Sequence, residues 1–188
     1  MSTHVMPGDF GPVIPGVRAP GLFQLGRIGI DDWSDVRYVH AMSFRTFVAP
    51  RVTHAFTETF LSGLDSPAYA IQLGSAALTG AWLDGQLAGT AGWRAEASSD
   101  RVAEIEGLYV SPLFAFMGIG SALLASVENE ARGAGYDTLS ATVPLAAASF
   151  LMRFGYEVSE QLPHPALVMD DVTVVVMRKR EAIAAIDA

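Results

Sequence analysis

The sequence predicts one α/β domain of the layered α+β kind, with a mixed, mostly antiparallel sheet flanked by helices. Three observations carry that expectation. The first is the stretch from Leu108 to Ala134: a strand end, a turn through Ser111-Pro112, an apolar loop Leu113-Phe114-Ala115-Phe116-Met117, then Gly118-Ile119-Gly120 opening a helix that stops at Gly133–Gly135. The second is Asp84-Gly85 between two alternating segments, a two-residue hairpin signature. The third is the order of segments, β-α-α-β-β-β-α-β-α-β-β, with no internal repeat and no second core.

In chain order, residues 1–21 alternate prolines with glycines and read as an extended arm. Leu22–Ile30 can form a first strand. Asp31 or Asp32 then caps a helix reaching about Arg45, with Val36, Val39 or His40, and Ser43 or Phe44 at helical spacing. A second helix over roughly Val52–Leu61 places Phe56 and Phe60 at i, i+4. Leu78–Leu83 and Gln86–Arg94 form the hairpin, Ser98-Ser99-Asp100 the next turn, and Val102–Val110 the next strand. After the central helix come a strand Thr138–Val143, a short helix Ala146–Phe154 closed by Gly155, and strands Tyr156–Gln161 and Val172–Arg178. Residues 181–188 are left as a tail. The domain therefore spans 22–180.

Composition narrows the function classes. The 188 residues are 51% hydrophobic with mean hydropathy +0.32, which suits a packed core rather than disorder. Net charge is −8, and no basic stripe exists to neutralise phosphates, so nonspecific nucleic-acid binding is not expected. No run reaches membrane-spanning length and no leader pattern opens the chain, so a cytoplasmic protein without membrane attachment is the expectation. With no cysteine and four scattered histidines, no metal site is expected; His40 and His54 read as packed or partly exposed residues of their helices.

The chemistry-bearing stretch is the strand, glycine loop and helix start. Backbone N–H groups converge at a helix N-terminus, where the macrodipole also favours an anion. Gly118 and Gly120 allow a phosphate close approach or supply φ > 0; tight packing of helix on sheet explains the same spacing equally well. A nicotinamide fingerprint is excluded because Leu123 stands where its third glycine would be.

Glu106-Gly107-Leu108-Tyr109-Val110-Ser111-Pro112, followed by Gly118-Ile119-Gly120-Ser121-Ala122-Leu123-Leu124, resembles the acyl-CoA-binding segment of the GNAT N-acetyltransferase superfamily. Arg153-Phe154-Gly155-Tyr156-Glu157-Val158 resembles the helix end and strand that follow it there. The hairpin through Gly92-Trp93-Arg94 and the helix from Asp31 to Arg45 resemble earlier elements, so the resemblance covers about residues 22–180. It implies a GNAT-like sheet with a splayed parallel strand pair at its centre. It also implies transfer of an acetyl or other acyl group from acyl-CoA to an amine by direct attack. Diphosphate would then lie on the amides of Phe116, Met117, Gly118, Ile119, Gly120 and Ser121, and pantetheine along Leu108, Tyr109 and Val110. Gly107 is the candidate for a bulge at the splay. Glu104 and Glu106 share one strand face and are the candidate bases, Glu106 the better placed.

Three positions depart from the pattern. Ala115 stands where the family's loop usually carries Gln or Arg, Ala146 where its motif helix often carries Asn, and Leu151 where it commonly carries the Tyr that protonates the leaving thiolate. Lost charge-assisted contacts to phosphate are worth about 1.5–3 kcal/mol each. One expectation is an acyltransferase whose loop relies on backbone amides. The alternative is a noncatalytic binding or interaction module using Phe114, Phe116 and Met117 as a contact surface. A third reading packs Phe114 and Phe116 under the sheet. The acceptor would be a small-molecule or peptide amine. Asp170 and Asp171 hint at a cationic one, and Val172–Met177 could offer a sheet edge for a homodimer.

Overall fold

The computed structural model describes residues 22–97, 99–163 and 172–180. The expected N-terminal arm, the C-terminal tail, Ser98 and the segment holding His164, Asp170 and Asp171 lie outside them. Strand β1 (Gln24–Arg27) leads through a 3-10 turn into helix α1 (Trp33–Phe47), followed by α2 (His54–Gly63) and α3 (Pro67–Ser75). Strands β2 (Thr79–Leu83), β3 (Gln86–Ala95) and β4 (Val102–Val110) then form a meander. Helix α4 (Ile119–Gly133), β5 (Thr138–Pro144), α5 (Leu145–Met152), β6 (Glu157–Pro163) and β7 (Thr173–Arg180) complete the chain. The sheet order is β1-β2-β3-β4-β5-β7-β6, antiparallel throughout except for the parallel pair β4–β5.

The expected strands and helices form, with three corrections. The first strand is four residues long rather than nine, because the chain turns at Ile30–Asp32. Helix α3 was not anticipated. Ser66 caps it by accepting from the Tyr69 amide at 3.1 Å, and Pro67 occupies the first turn, where a missing N–H costs nothing. Only Leu73 among its residues is buried, so its periodicity is faint. Finally, β7 is not an edge. It lies between β5 and β6, so its run Val174, Val175 and Met177 is core, and the sheet edges are β1 and β6.

The sheet separates two apolar layers. On one face α4 packs through Ile119, Leu123, Leu124, Val127 and Ala131 against Ala103, Ile105 and Leu139, with Leu151 of α5 buried beside them. On the other face Val36 and Val39 of α1 and Leu73 of α3 meet Leu78, Leu87 and Tyr109. A third cluster joins α1 to α2 through Phe44 and Phe56, and includes Val172. Phe60 stacks on Phe44 with ring centres 3.9 Å apart and approaches Tyr109.

The sheet opens at its middle. The β4–β5 ladder runs Val102↔Thr138, Ala103↔Leu139 and Glu104↔Ser140, and ends there. Both strands continue, β4 paired with β3 as far as Val110 and β5 paired with β7 as far as Pro144. They therefore diverge as a wedge from Glu104 onward. Within that wedge β4 carries a bulge: its register against β3 shifts between Thr90 and Gly92, opposite Tyr109 and Glu106. Gly107 has φ +61°, and a Cβ there would lie 3.2 Å from Leu78 and 3.4 Å from Leu73. Glycine alone suits both the left-handed backbone and the space. The bulge resets the alternation. Ala103 and Ile105 face α4, as do Leu108 and Val110 one step out of phase, and Tyr109 packs on the opposite layer.

Candidate active site

The wedge brings together three things that lie apart in the sequence. At its side is the N-terminus of α4. The first α4 amide with a partner in the helix is that of Ala122, which donates to the Gly118 carbonyl at 3.0 Å. The amides of Ile119, Gly120 and Ser121 precede it and, by helix geometry, have no intrahelical acceptor. Gly118 occupies the N-cap with φ +80°, and a Cβ on it would meet nothing within 4 Å. There is thus open space beside Gly118 at the start of α4.

Gly120 behaves differently. A Cβ on it would lie 3.3 Å from both the Phe150 ring and Val110, so its missing side chain admits Phe150 from α5. Tight packing explains Gly120, and left-handed backbone explains Gly118. Phe114 packs on the main core, as the third reading expected. Phe116 does not: it is fully exposed, with φ +64° for a non-glycine residue, and Leu113 and Met117 are exposed beside it. Ala115 leaves the loop without a cation, and Leu151 is buried in the core.

On the face shared with α1 and α3, Glu104 and Glu106 converge on one partner. Arg94 of β3 donates from Nε to Glu106 and from Nη2 to Glu104 at 2.5 Å. Thr142 reaches across the mouth of the wedge from β5 and donates to Glu104 at 3.2 Å. Glu104 is held above the usual carboxylate range by burial, with Glu106 adding repulsion, while Arg94 and Thr142 pull the other way. Glu106 is the more enclosed, its side chain 7% exposed. Its Oε1 is tied to Arg94, but its Oε2 is buried with no protein partner. A buried carboxylate oxygen without a protein partner is costly, and a water or a polar ligand would satisfy it.

Behind the bulge lies a chain of buried polar groups. Tyr69 Oη is 2.6 Å from His40 Nδ1, His40 Nε2 is 2.7 Å from Thr90 Oγ1, and Thr90 donates to the Gly107 carbonyl at 2.6 Å. His40 and Thr90 are fully buried, and the His40 ring lies 4.1 Å from that of Tyr109, tilted by 31°. Burial pushes His40 down to about 3, so it is neutral at any ordinary pH. Tyr69 and Tyr109 are both raised, chiefly by burial. A cleft of about 430 Å³ opens nearby, between Val52–Thr53 at the start of α2 and Pro144–Ala146 at the β5–α5 junction; its described lining carries one charge, that of Arg51.

The site residues expected from sequence thus divide. Glu104 and Glu106 share a face and meet at Arg94; Leu108, Tyr109 and Val110 line the diverging part of β4; and residues 116–121 form the amide-bearing turn beside it. Arg94, Thr142, Tyr69 and Thr90 were not anticipated. Arg94 becomes legible only when the β3–β4 register is known, because that register sets it opposite Glu104. Among the described residues no group of three or more His, Cys, Asp or Glu is placed to hold a metal, and no helix is long and apolar enough to cross a membrane.

The candidate site is thus a wedge between two central parallel strands, with an uncapped helix start on one side and paired carboxylates on the other. The sequence profile of the Acetyltransferase (GNAT) family matches residues 39–156, and the chain belongs to that family. No curated protein matches it. Solved structures do. A GCN5-related N-acetyltransferase from Rhodopseudomonas palustris superposes with TM-score 0.72 at 19% identity, covering 88% of this chain and 100% of its own. PaiA N-acetyltransferase from Thermoplasma acidophilum, solved with coenzyme A, gives TM-score 0.67 at 18% identity, covering 85% and 99%. YncA of Salmonella typhimurium, solved with acetyl-CoA, gives 0.61 at 20% identity, covering 89% and 99%. At these identities the likeness concerns the fold.

Proposed function

We propose that the protein transfers an acetyl or other acyl group from acyl-CoA to an amine by direct attack. One observation carries this reading: the wedge from Glu104 onward has donor amides on one side and the unpartnered Oε2 of Glu106 on the other. Diphosphate would rest on the amides at 116–121 without a charged side chain, and pantetheine would run along Leu108–Val110. The uncrowded space beside Gly118 leaves room for such a ligand at the start of α4.

In the reaction, the acceptor nitrogen attacks the thioester carbon and a C–N bond forms. The nitrogen's proton passes to Glu106 Oε2, directly or through one water. The C–S bond then breaks, and the CoA thiolate leaves and is protonated by water; Leu151 offers no acid. A thiol of ordinary pKa near 8.5 leaves well enough near neutrality for this to proceed, at a reduced rate. The Gly107 carbonyl is turned toward Thr90 on the β3 side. In a planar trans peptide the Leu108 N–H then points the opposite way, into the wedge, where it can donate to the thioester oxygen as charge develops.

The test is calorimetric titration with acetyl-CoA, CoA and a longer acyl-CoA, followed by thiol-release assays over a panel of amines. Micromolar binding and amine-dependent thiol release support the reading; no binding up to millimolar sinks it. The fully exposed Phe116, with Leu113 and Met117 in a loop lacking cations, favours one other reading, a noncatalytic interaction module on the same fold. Absence of acyl-CoA binding would select it.

A further inference from the structure

The buried chain behind the bulge has a direction fixed by chemistry. The Gly107 carbonyl can only accept, so the hydroxyl proton of Thr90 lies on that bond. Thr90 Oγ1 must then accept from His40, which places the imidazole proton on Nε2. His40 Nδ1 is left as an acceptor, and the Tyr69 hydroxyl donates to it. One arrangement of protons satisfies all three contacts, and α1, α3, β3 and β4 each contribute a member. Burial that keeps the ring neutral preserves that arrangement across pH.

A carbonyl displaced from a ladder by a bulge has no strand partner. The cheapest answer would be water. Here the Gly107 carbonyl instead meets a hydroxyl that a histidine orients, and the histidine is oriented in turn by a tyrosine.

We propose that Tyr69, His40 and Thr90 are positioning residues that lock the Gly107–Leu108 peptide plane, so aiming the Leu108 amide at the thioester oxygen. This rests on the acyl-transfer reading. Neither His40 nor Thr90 touches substrate, since both are fully enclosed. Their effect passes through a single peptide unit whose φ of +61° could relax if the carbonyl were released.

The test compares Thr90→Val, which keeps shape and removes the hydroxyl, with Thr90→Ser, which restores it. Removing an oxyanion donor outright costs about 10²–10³ in kcat; a misaimed one should cost about tenfold. The expected result for Thr90→Val is a kcat lowered about tenfold, an unchanged dissociation constant for CoA, which has no acyl oxygen, and a shifted Leu108 amide resonance in the free protein. Thr90→Ser returns all three toward wild type. Long-range ¹H–¹⁵N correlation on the wild type should show His40 as the neutral Nε2–H tautomer from pH 5 to 8. Wild-type kcat and an unmoved Leu108 amide in Thr90→Val, or the other tautomer at His40, would overturn the proposal. If Thr90→Val does not fold, Tyr69→Phe with the same readouts decides it. Failure of the wild type to bind any acyl-CoA refutes the acyl-transfer reading itself, whereas intact binding with an indifferent Thr90→Val refutes the positioning chain alone.

Discussion

Replacing Arg94 by methionine tests the electrostatics of the site more severely than removing either carboxylate. Met keeps much of the apolar stem and deletes the guanidinium, leaving two carboxylates on one buried face. Each charge-assisted bond is worth about 1.5–3 kcal/mol, and breaking a fully buried pair costs about 3–5. Two features temper that figure: Arg94 is about one-third exposed, at 34%, and Glu104 keeps its bond from Thr142. A loss of about 3 kcal/mol at pH 8 is therefore expected, a large part of the ~5–15 kcal/mol available to a domain. The loss should depend on pH. Glu104 already sits above its ordinary 4.5, and without Arg94 only Thr142 opposes burial and Glu106. A raised carboxyl pKa means that the native state binds protons that the unfolded state has released. The stability it contributes is present below the unfolded value and lost as pH rises through the folded one. The deficit of Arg94→Met should thus widen from pH 4.5 to 8, shrinking at the acid end toward the ~1 kcal/mol of an ordinary substitution. Urea denaturation at several pH values measures it. A deficit equal at pH 4.5 and 8 would show that Arg94 acts as a packing stem, and the account of Glu104 and Glu106 as a clamped pair would fall.

Other expectations follow from single positions. Glu106→Gln should lower kcat about 10²–10⁴-fold while leaving acetyl-CoA binding intact, as calorimetry and thiol release would show; a normal rate would remove Glu106 as the base. Ala115→Arg should tighten CoA binding by about 1.5–3 kcal/mol, roughly 10- to 150-fold, and make it salt-dependent. No change in the titration would mean that phosphate does not lie over this loop. Gly118→Ala should cost about 1–2 kcal/mol in urea denaturation, through backbone conformation alone since nothing crowds its Cβ. Phe116→Gly should do the reverse and gain up to about 1 kcal/mol, because the ring packs on nothing and φ is +64°. A loss in Phe116→Gly would reveal a contact that the ring makes in solution.

Much of the architecture was legible because the local signals agreed with one another. Asp84-Gly85 fixed the β2–β3 hairpin, and both residues have positive φ as such a turn demands. The Gly107 bulge and the shared face of Glu104 and Glu106 followed from strand alternation plus one glycine. What escaped has physical reasons. Helix α3 shows its cap, Ser66-Pro67, but buries so little that its periodicity fades. β7 looked like an edge because a run of apolar residues is the same whether one side is paired or both. Arg94 could not be placed from the turn Ser98-Ser99-Asp100, since a loop of that kind does not set register and a slip of one residue moves every side chain to the other face.

His40 shows most clearly where sequence reasoning stops. Read alone, a histidine on the apolar face of a helix is a packed residue, and it is one: no solvent reaches it. Yet packing does not explain its two short hydrogen bonds, one to a residue 29 positions away and one to a residue 50 positions away. Such contacts appear only when α1, α3 and β3 are assembled around β4. A core without polar groups would have stabilised those elements as well or better, because a buried hydrogen bond contributes only about 0.5–1.5 kcal/mol net. What the polar chain adds is a preferred orientation at one peptide plane, which apolar packing cannot specify. That plane lies where the β4–β5 ladder has ended and β4 has a free side. A largely buried polar chain therefore serves an open seam of the sheet, where geometry rather than net stability decides what a bound thioester would meet.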